Sequence, residues 1–209
     1  MTYLSSLIRR SRPLAAVLIA GLIALAGPGG AQAADPAVAR IDAFDTALIA
    51  MMKAGPALGA KGRYRKIEPA VTEAFDLPFM TRLAVGPKWL EASAADQDAL
   101  VKAFARLTTA SWAHNFDHFS GERFTVDPAP KVRGPDTIVQ SELIPASGAH
   151  VSLLYRMRQS GGVWKVVDVY FDGVSQVTLR RSDFVQPLAQ GGAPALIAHL
   201  DSLSAKLLQ

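Results

Sequence analysis

His114 and His118 stand four residues apart with Asp117 beside the second. On a helix two imidazoles at that spacing face the same way and can chelate zinc, with a third ligand from elsewhere. The metalloprotease form of this pattern needs Glu directly after the first His, and Asn115 occupies that place. A solvated helix face is the simpler reading, and no metal is expected. His150 and His199 are isolated and carry no role. Asp168 and Asp172 are the carboxylates that could divide acid and base work between them, which requires pKa values pushed apart. On a strand, residues four apart share a face but lie about 13 Å from each other, too far for a glycosidase pair. Asp168 shares an alternating face with Trp164 and Val166, so it is expected to be partly buried in a structural ion pair with an Arg such as Arg156. Ser175 lacks the Gly-x-Ser-x-Gly elbow, and no glycine-rich phosphate loop follows residue 33. The absence of cysteine excludes disulfides, thiol catalysis and cysteine-based zinc sites. No catalytic set and no cofactor site emerges.

The elements that would hold these residues are read from periodicity. Val38, Ile41, Phe44, Leu48 and Met51 or Met52 form one apolar stripe, so an amphipathic helix is expected over Asp35–Lys53, ended by Gly55-Pro56. Lys61–Lys66 reads as a solvated lead-in to a short helix with Ile67, Val71, Ala74 and Phe75, Pro69 fitting its first turn. After Asp76-Leu77-Pro78 a further helical piece carries Phe79, Met80 and Leu83 on one side. Gly86-Pro87-Lys88-Trp89 breaks it. Ser93 to Asp96 is a capping signature for the longest helix, expected from Ala94 to Phe119, about 39 Å at 1.5 Å per residue.

Beyond Gly121 the period becomes extended. Arg123–Asp127, Thr137–Ile144, His150–Arg158 and Val163–Phe171 are four candidate strands separated by turn signals. The third alternates Val151, Leu153, Tyr155 and Met157 against His150, Ser152, Arg156 and Arg158, so one face is inside and the other wet. Gly161-Gly162 is the hairpin turn before the fourth strand, and Asp172-Gly173 ends it. Helix resumes near Leu179–Phe184. A closing helix carries Leu196, Ile197, Leu200, Leu203 and Leu207, with Pro194 near its start. Helices first, strands second and a closing helix make an α+β domain, with helices packed on one face of a mostly antiparallel sheet of four or more strands.

The first 33 residues have a different character. Arg9, Arg10 and Arg12 precede an uncharged apolar run from Leu14 to Ala26, then Gly27-Pro28-Gly29-Gly30 and Ala31-Gln32-Ala33. This is the order of a secretory signal peptide, with cleavage expected after Ala33 and an apolar run too short for a membrane span. It leaves a single domain over 34–209 and implies export from the cytoplasm. The segment holds three of the 22 Lys and Arg and none of the 18 Asp and Glu, so the rest carries 19 basic against 18 acidic side chains. The basic balance belongs to the leader, and no nucleic-acid partner is implied.

Trp164, Lys165, Val166, Asp168 and Val169, then Gly173, Val174 and Ser175, then Arg181 and Phe184 occur in the order of a Trp-Lys-Val-x-Asp-Val strand, a Gly-Val-Ser turn and an Arg-x-x-Phe helix start. The chain thereby resembles the MlaC family of periplasmic phospholipid-binding proteins, the toluene-tolerance auxiliary family. Gly86, Trp89, Phe104 and Leu107 match its Gly-x-x-Trp and Phe-x-x-Leu pattern, while Trp112 stands where the family usually has Tyr. Leu83–Trp89 and Phe119–Phe124 look closer to the hopanoid-associated HpnM branch.

By spacing alone, an ordinary packed core accounts for most of Phe75, Phe79, Met80, Leu83, Phe104, Trp112, Phe116, Phe119, Tyr155, Phe171 and Phe184. The resemblance implies instead that these residues, with Leu107, Leu153, Trp164, Val166 and Val174, enclose an apolar cavity in a cone like that of nuclear-transport-factor-type folds. It further implies a lipid cargo, phospholipid or hopanoid, carried between an inner-membrane ABC transporter with a lipid-binding ring and an outer-membrane lipoprotein complex. Two other readings remain at this point. One is an enzyme using the same cavity with Asp168 as base and His114 or His118 assisting. The other is a cargo-free accessory protein of a membrane complex.

Overall fold

The computed structural model describes residues 34–209, and the expected leader lies outside them. Helix α1 (Pro36–Ala74) starts where the Asp35 carboxylate accepts from the amides of Ala37 and Val38. It buries Val38, Ile41, Phe44, Leu48, Met51 and Met52, the stripe read from the sequence. The expected stop at Gly55-Pro56 is not where the helix breaks. Helical backbone continues to a kink at Gly59, whose φ of 61° suits a residue without Cβ. Lys61–Lys66 is helical instead of a lead-in, and Pro69 lies well inside the second segment. Gly55 serves a different purpose: a Cβ there would come within 2.6 Å of the Asp117 carbonyl oxygen. It lets the helix press against another stretch of backbone.

Asp76 caps α2 (Leu77–Val85) by accepting from the Phe79 amide at 3.0 Å, and its own amide donates to the Val166 carbonyl at 2.9 Å. A 3₁₀ segment (Gly86–Glu91) leads to α3 (Ala94–Asn115), capped by Ser93 as expected. This helix ends at Asn115, short of Phe119, so His114 and His118 do not share one helical face. Its buried stripe is Leu100, Ala103, Phe104, Leu107, Ala110, Trp112 and Ala113.

The sheet comprises β1 (Arg123–Val126), β2 (Lys131–Arg133), β3 (Asp136–Ile144), β4 (Val151–Ser160), β5 (Val163–Phe171) and β6 (Val174–Ser175). Its order is β1-β3-β4-β5-β6, with β2 also on β3, and every strand pair is antiparallel. All four expected strands are present; β2 and β6 are too short to leave a periodic signal. Gly161 and Gly162 take φ of 58° and 80°, as a tight hairpin turn requires. Leu153, Tyr155 and Met157 are fully buried, as their alternation implied.

A bulge between Arg156 and Met157 on β4 and Val166 to Asp168 on β5 shifts the register. Met157 pairs with Val166 but Arg156 pairs with Asp168, so Val167 is the extra residue. Strict alternation had put Asp168 on the face of Trp164 and Val166; the bulge turns it to the opposite one. Helix α4 (Gln176–Leu207) follows, broken at Gly191 and Gly192 and burying Phe184, Leu196 and Leu200. The two helices expected after Gly173 are thus the halves of one broken element. The helices cover one sheet face, and the other stays open to solvent.

Candidate functional site

A cleft opens between α3 and the first turns of α4, with β5 as its floor. Its empty space is about 560 Å³, including the side open to solvent. The stripe that α3 contributes is Phe104, Thr108, Ser111, Trp112 and Asn115, spaced so that they fall on one helical face. Phe75 at the end of α1, Met80 on α2, Val169 and Phe171 on β5 and Val177 on α4 complete the apolar lining. The polar members, Thr108, Ser111, Asn115, Gln176 and Arg180, are all half-buried or exposed, whereas the apolar ones except Phe171 are buried. The cleft therefore has a greasy interior and a polar rim.

Trp112 is the hub of the interior. Its ring lies 5.0 Å from Phe44 and 5.2 Å from Phe116, with Phe75 and Phe171 each at 5.9 Å. At the rim, Arg180 reaches across from α4 to α3, where Nη2 donates to Ser111 Oγ at 3.3 Å. Ser111 in turn donates to the Leu107 carbonyl at 2.8 Å, within its own helix.

Behind this cluster lies a buried polar group that sequence reading did not single out. The Asp45 carboxylate accepts from Ser141 Oγ at 2.6 Å and from the Tyr155 hydroxyl at 3.4 Å. Burial, only partly offset by those hydrogen bonds, pushes the Asp45 pKa up to about 7. Burial and the neighbouring Asp45 likewise push Tyr155 well above the usual phenol range.

Of the sixteen residues expected around a cavity, Phe75, Met80, Phe104, Trp112 and Phe171 meet at the cleft. Leu107, Phe116, Leu153, Tyr155, Val166 and Phe184 are buried in the core and do not line the cleft, Phe116 and Phe184 packing behind Trp112 and Phe104. Leu83 and Trp164 are partly buried against that core. Phe79 is half-buried, with the Arg82 and Arg158 guanidinium groups 5.3 and 4.9 Å from its ring. Phe119 and Val174 are exposed, Phe119 under the Lys53 ammonium at 5.2 Å. Sequence reading missed the polar rim and Val169 and Val177. A signal was present, since Thr108, Ser111 and Asn115 share a stripe with Phe104 and Trp112.

The groups weighed for catalysis are not assembled. His114 is exposed on the last turn of α3, and His118 lies beyond the helix, 2.8 Å from the Asp117 carboxylate. Asp168 is buried but is not paired with Arg156. One carboxylate oxygen accepts from the amides of Val169 and Val177 at 2.8 and 3.1 Å, and the other from Ser175 Oγ at 2.6 Å. It is a clasp between β5 and the start of α4. Arg156 and Arg158 instead share Asp136 on the open sheet face. Asp172 occupies the turn before β6 with φ of 47°. Among the described residues, no three His, Asp or Glu side chains are grouped to hold a metal, and no helix is long and apolar enough to cross a membrane.

The fold and cleft define an α+β cone protein, a mostly antiparallel sheet with helices on one face and an apolar cleft between sheet and helices. The chain belongs to the MlaC family, whose model matches residues 42–202. A solved structure of similar fold is the phospholipid-binding protein from Ralstonia solanacearum in complex with a phospholipid. The two share 21% identity with a TM-score of 0.73, over 84% of this chain and 100% of that one. No curated protein matches this sequence.

Proposed function

We propose that this protein is a periplasmic lipid carrier, made as a precursor cleaved after Ala33 and working as a single domain over residues 34–209. The observation that carries the reading is the cleft's division into an apolar interior and a polar rim, the shape of an amphiphile's own surface. Each methylene exposed to water costs about 0.8 kcal/mol, so hiding lipid tails is a sufficient driving force for binding without any catalytic group. Membership of the MlaC family supports this, as does the phospholipid held by the similarly folded R. solanacearum protein. The carrier would pass its cargo between an inner-membrane ABC transporter with a lipid-binding ring and an outer-membrane lipoprotein complex. The cargo is a phospholipid or, if the chain lies in the HpnM branch, a hopanoid.

Size sets a condition on loading. A two-tailed lipid has on the order of thirty methylenes; taking each as about a water molecule's share of liquid volume, roughly 30 Å³, the tails need roughly 900 Å³. The cleft offers about 560 Å³, part of it open to solvent. Tails enter only if the aromatic rings around Trp112 swing or the helices part. Gentle native mass spectrometry of protein purified from the periplasm, with extraction of whatever copurifies, tests the reading. A stoichiometric lipid is the expected result. Protein that stays empty after incubation with phospholipid and hopanoid vesicles would overturn it.

A further inference from the structure

Arg180 is the one charged side chain among the twelve described residues that line the cleft, and none of the twelve is a carboxylate. Its side chain is 30% exposed, held at the boundary between the apolar interior and solvent. Its engagements are loose: the bond to Ser111 Oγ is 3.3 Å, and the nearest carboxylate, Asp183, is 3.6 Å away and 51% exposed. A surface pair of that kind contributes about 0–1 kcal/mol. A guanidinium carries five N–H donors in a fixed fork, so most of its capacity remains for a ligand.

The start of α4 does not duplicate this capacity. The amides of Val177 and Thr178 already donate to Asp168 and Ser175. Anion recognition at this rim therefore falls to the Arg180 side chain, with the neutral side-chain amides of Asn115 and Gln176 beside it.

We propose that Arg180, positioned by Ser111, is an anion-recognition subsite that selects amphiphiles carrying a phosphate or carboxylate next to the apolar body over neutral ones. This rests on the lipid-carrier reading and narrows its cargo. A neutral polycyclic lipid would bury the same apolar surface but leave the guanidinium without a counter-charge. A phosphate meets two parallel N–H donors and gains shorter, charge-assisted bonds.

The test uses the full mature chain and two probes with the same acyl chain below micelle-forming concentration, a lysophosphatidic acid and the corresponding monoacylglycerol. Binding is read by calorimetry. Wild type is expected to prefer the phosphate form by about ten- to a hundredfold, the range of one charged hydrogen-bonded contact. Arg180→Gln should lose that discrimination, and Arg180→Lys should keep part of it because it retains the charge without the fork. The preference should shrink as salt is raised. Equal affinity of wild type for both probes, or an undiminished preference in Arg180→Gln, overturns the proposal. If inorganic phosphate alone displaces the lysophosphatidic acid, the site is one for free anions and the proposal also fails. If neither probe binds, the lipid-carrier reading itself has failed, a result distinct from equal binding.

Discussion

The carboxylate of Asp45 on α1 and the hydroxyl of Ser141 on β3, 96 residues apart in the chain, meet at 2.6 Å in the core. The Tyr155 hydroxyl approaches the same carboxylate from β4, and Phe44, next to Asp45, packs edge-on against both Tyr155 and Trp112. One buried polar contact thus pins α1 to the sheet directly behind the aromatic cluster of the cleft.

The pH dependence of stability follows from that contact. Burial raises Asp45 from 3.8 to about 7, so the folded protein holds this proton more tightly than the unfolded chain. The associated stability is fully present below about pH 4 and is lost as pH rises toward 7 and beyond, at up to about 1.4 kcal/mol per pH unit. Asp45→Asn removes the titration and keeps an acceptor for Ser141. Urea unfolding at a series of pH values should show wild type weakening by a few kcal/mol relative to the variant between pH 4 and 8. Parallel curves for the two proteins would rule this out.

Asp168 should behave as a structural clasp. Asp168→Ala removes the acceptor for the Val177 amide and Ser175 and should cost about 2–4 kcal/mol in chemical denaturation, because buried donors are left unpaired. Ser175→Ala removes one of those bonds and should cost less. A change under about 0.5 kcal/mol for Asp168→Ala would contradict the clasp.

Neighbouring residues on α3 should separate cargo capacity from packing. Thr108 lines the cleft and is half-buried, so Thr108→Trp should fill the space and reduce lipid retention with little change in melting temperature. Leu107, one residue away, is 2% exposed in the core, and Leu107→Trp should destabilise by about 1–3 kcal/mol through overpacking. Lipid extraction and thermal melts on the two variants give opposite patterns if the cleft is the cargo site. If Thr108→Trp retains lipid as wild type does, the cargo lies elsewhere.

Gly55 carries a close approach and not a helix stop. Gly55→Ala places a methyl group within 2.6 Å of a backbone carbonyl that follows α3. It should destabilise by about 1–3 kcal/mol although Ala is the better helix former. A stabilised Gly55→Ala protein would show that α1 and the segment at Asp117 do not touch in solution.

Periodicity along the sequence was sufficient for part of the local structure. The Val38 to Met52 stripe, the Ser93 cap, the alternation of β4 and the Gly161-Gly162 turn are each set by a few adjacent residues, and each stands where the residues imply. The residues from Trp164 to Phe184 carried the family resemblance for the same reason, because strand, turn and helix start are contiguous there. Tertiary structure decided what depends on distant partners. The Val167 bulge turned Asp168 off the face of Trp164 and Val166, where the start of α4 claims its carboxylate and Asp136 claims Arg156, and a one-residue slip leaves no trace in an alternating pattern. Gly55 could be read as a helix stop only while the Asp117 carbonyl pressing on it was out of view. Side-chain type identified apolar surface, but whether that surface meets a neighbour or a void depends on how α3, α4 and β5 are spaced. That spacing put Phe104 and Trp112 on the cleft and Leu107 and Phe184 in the core, and it brought Arg180 to the rim beside Ser111.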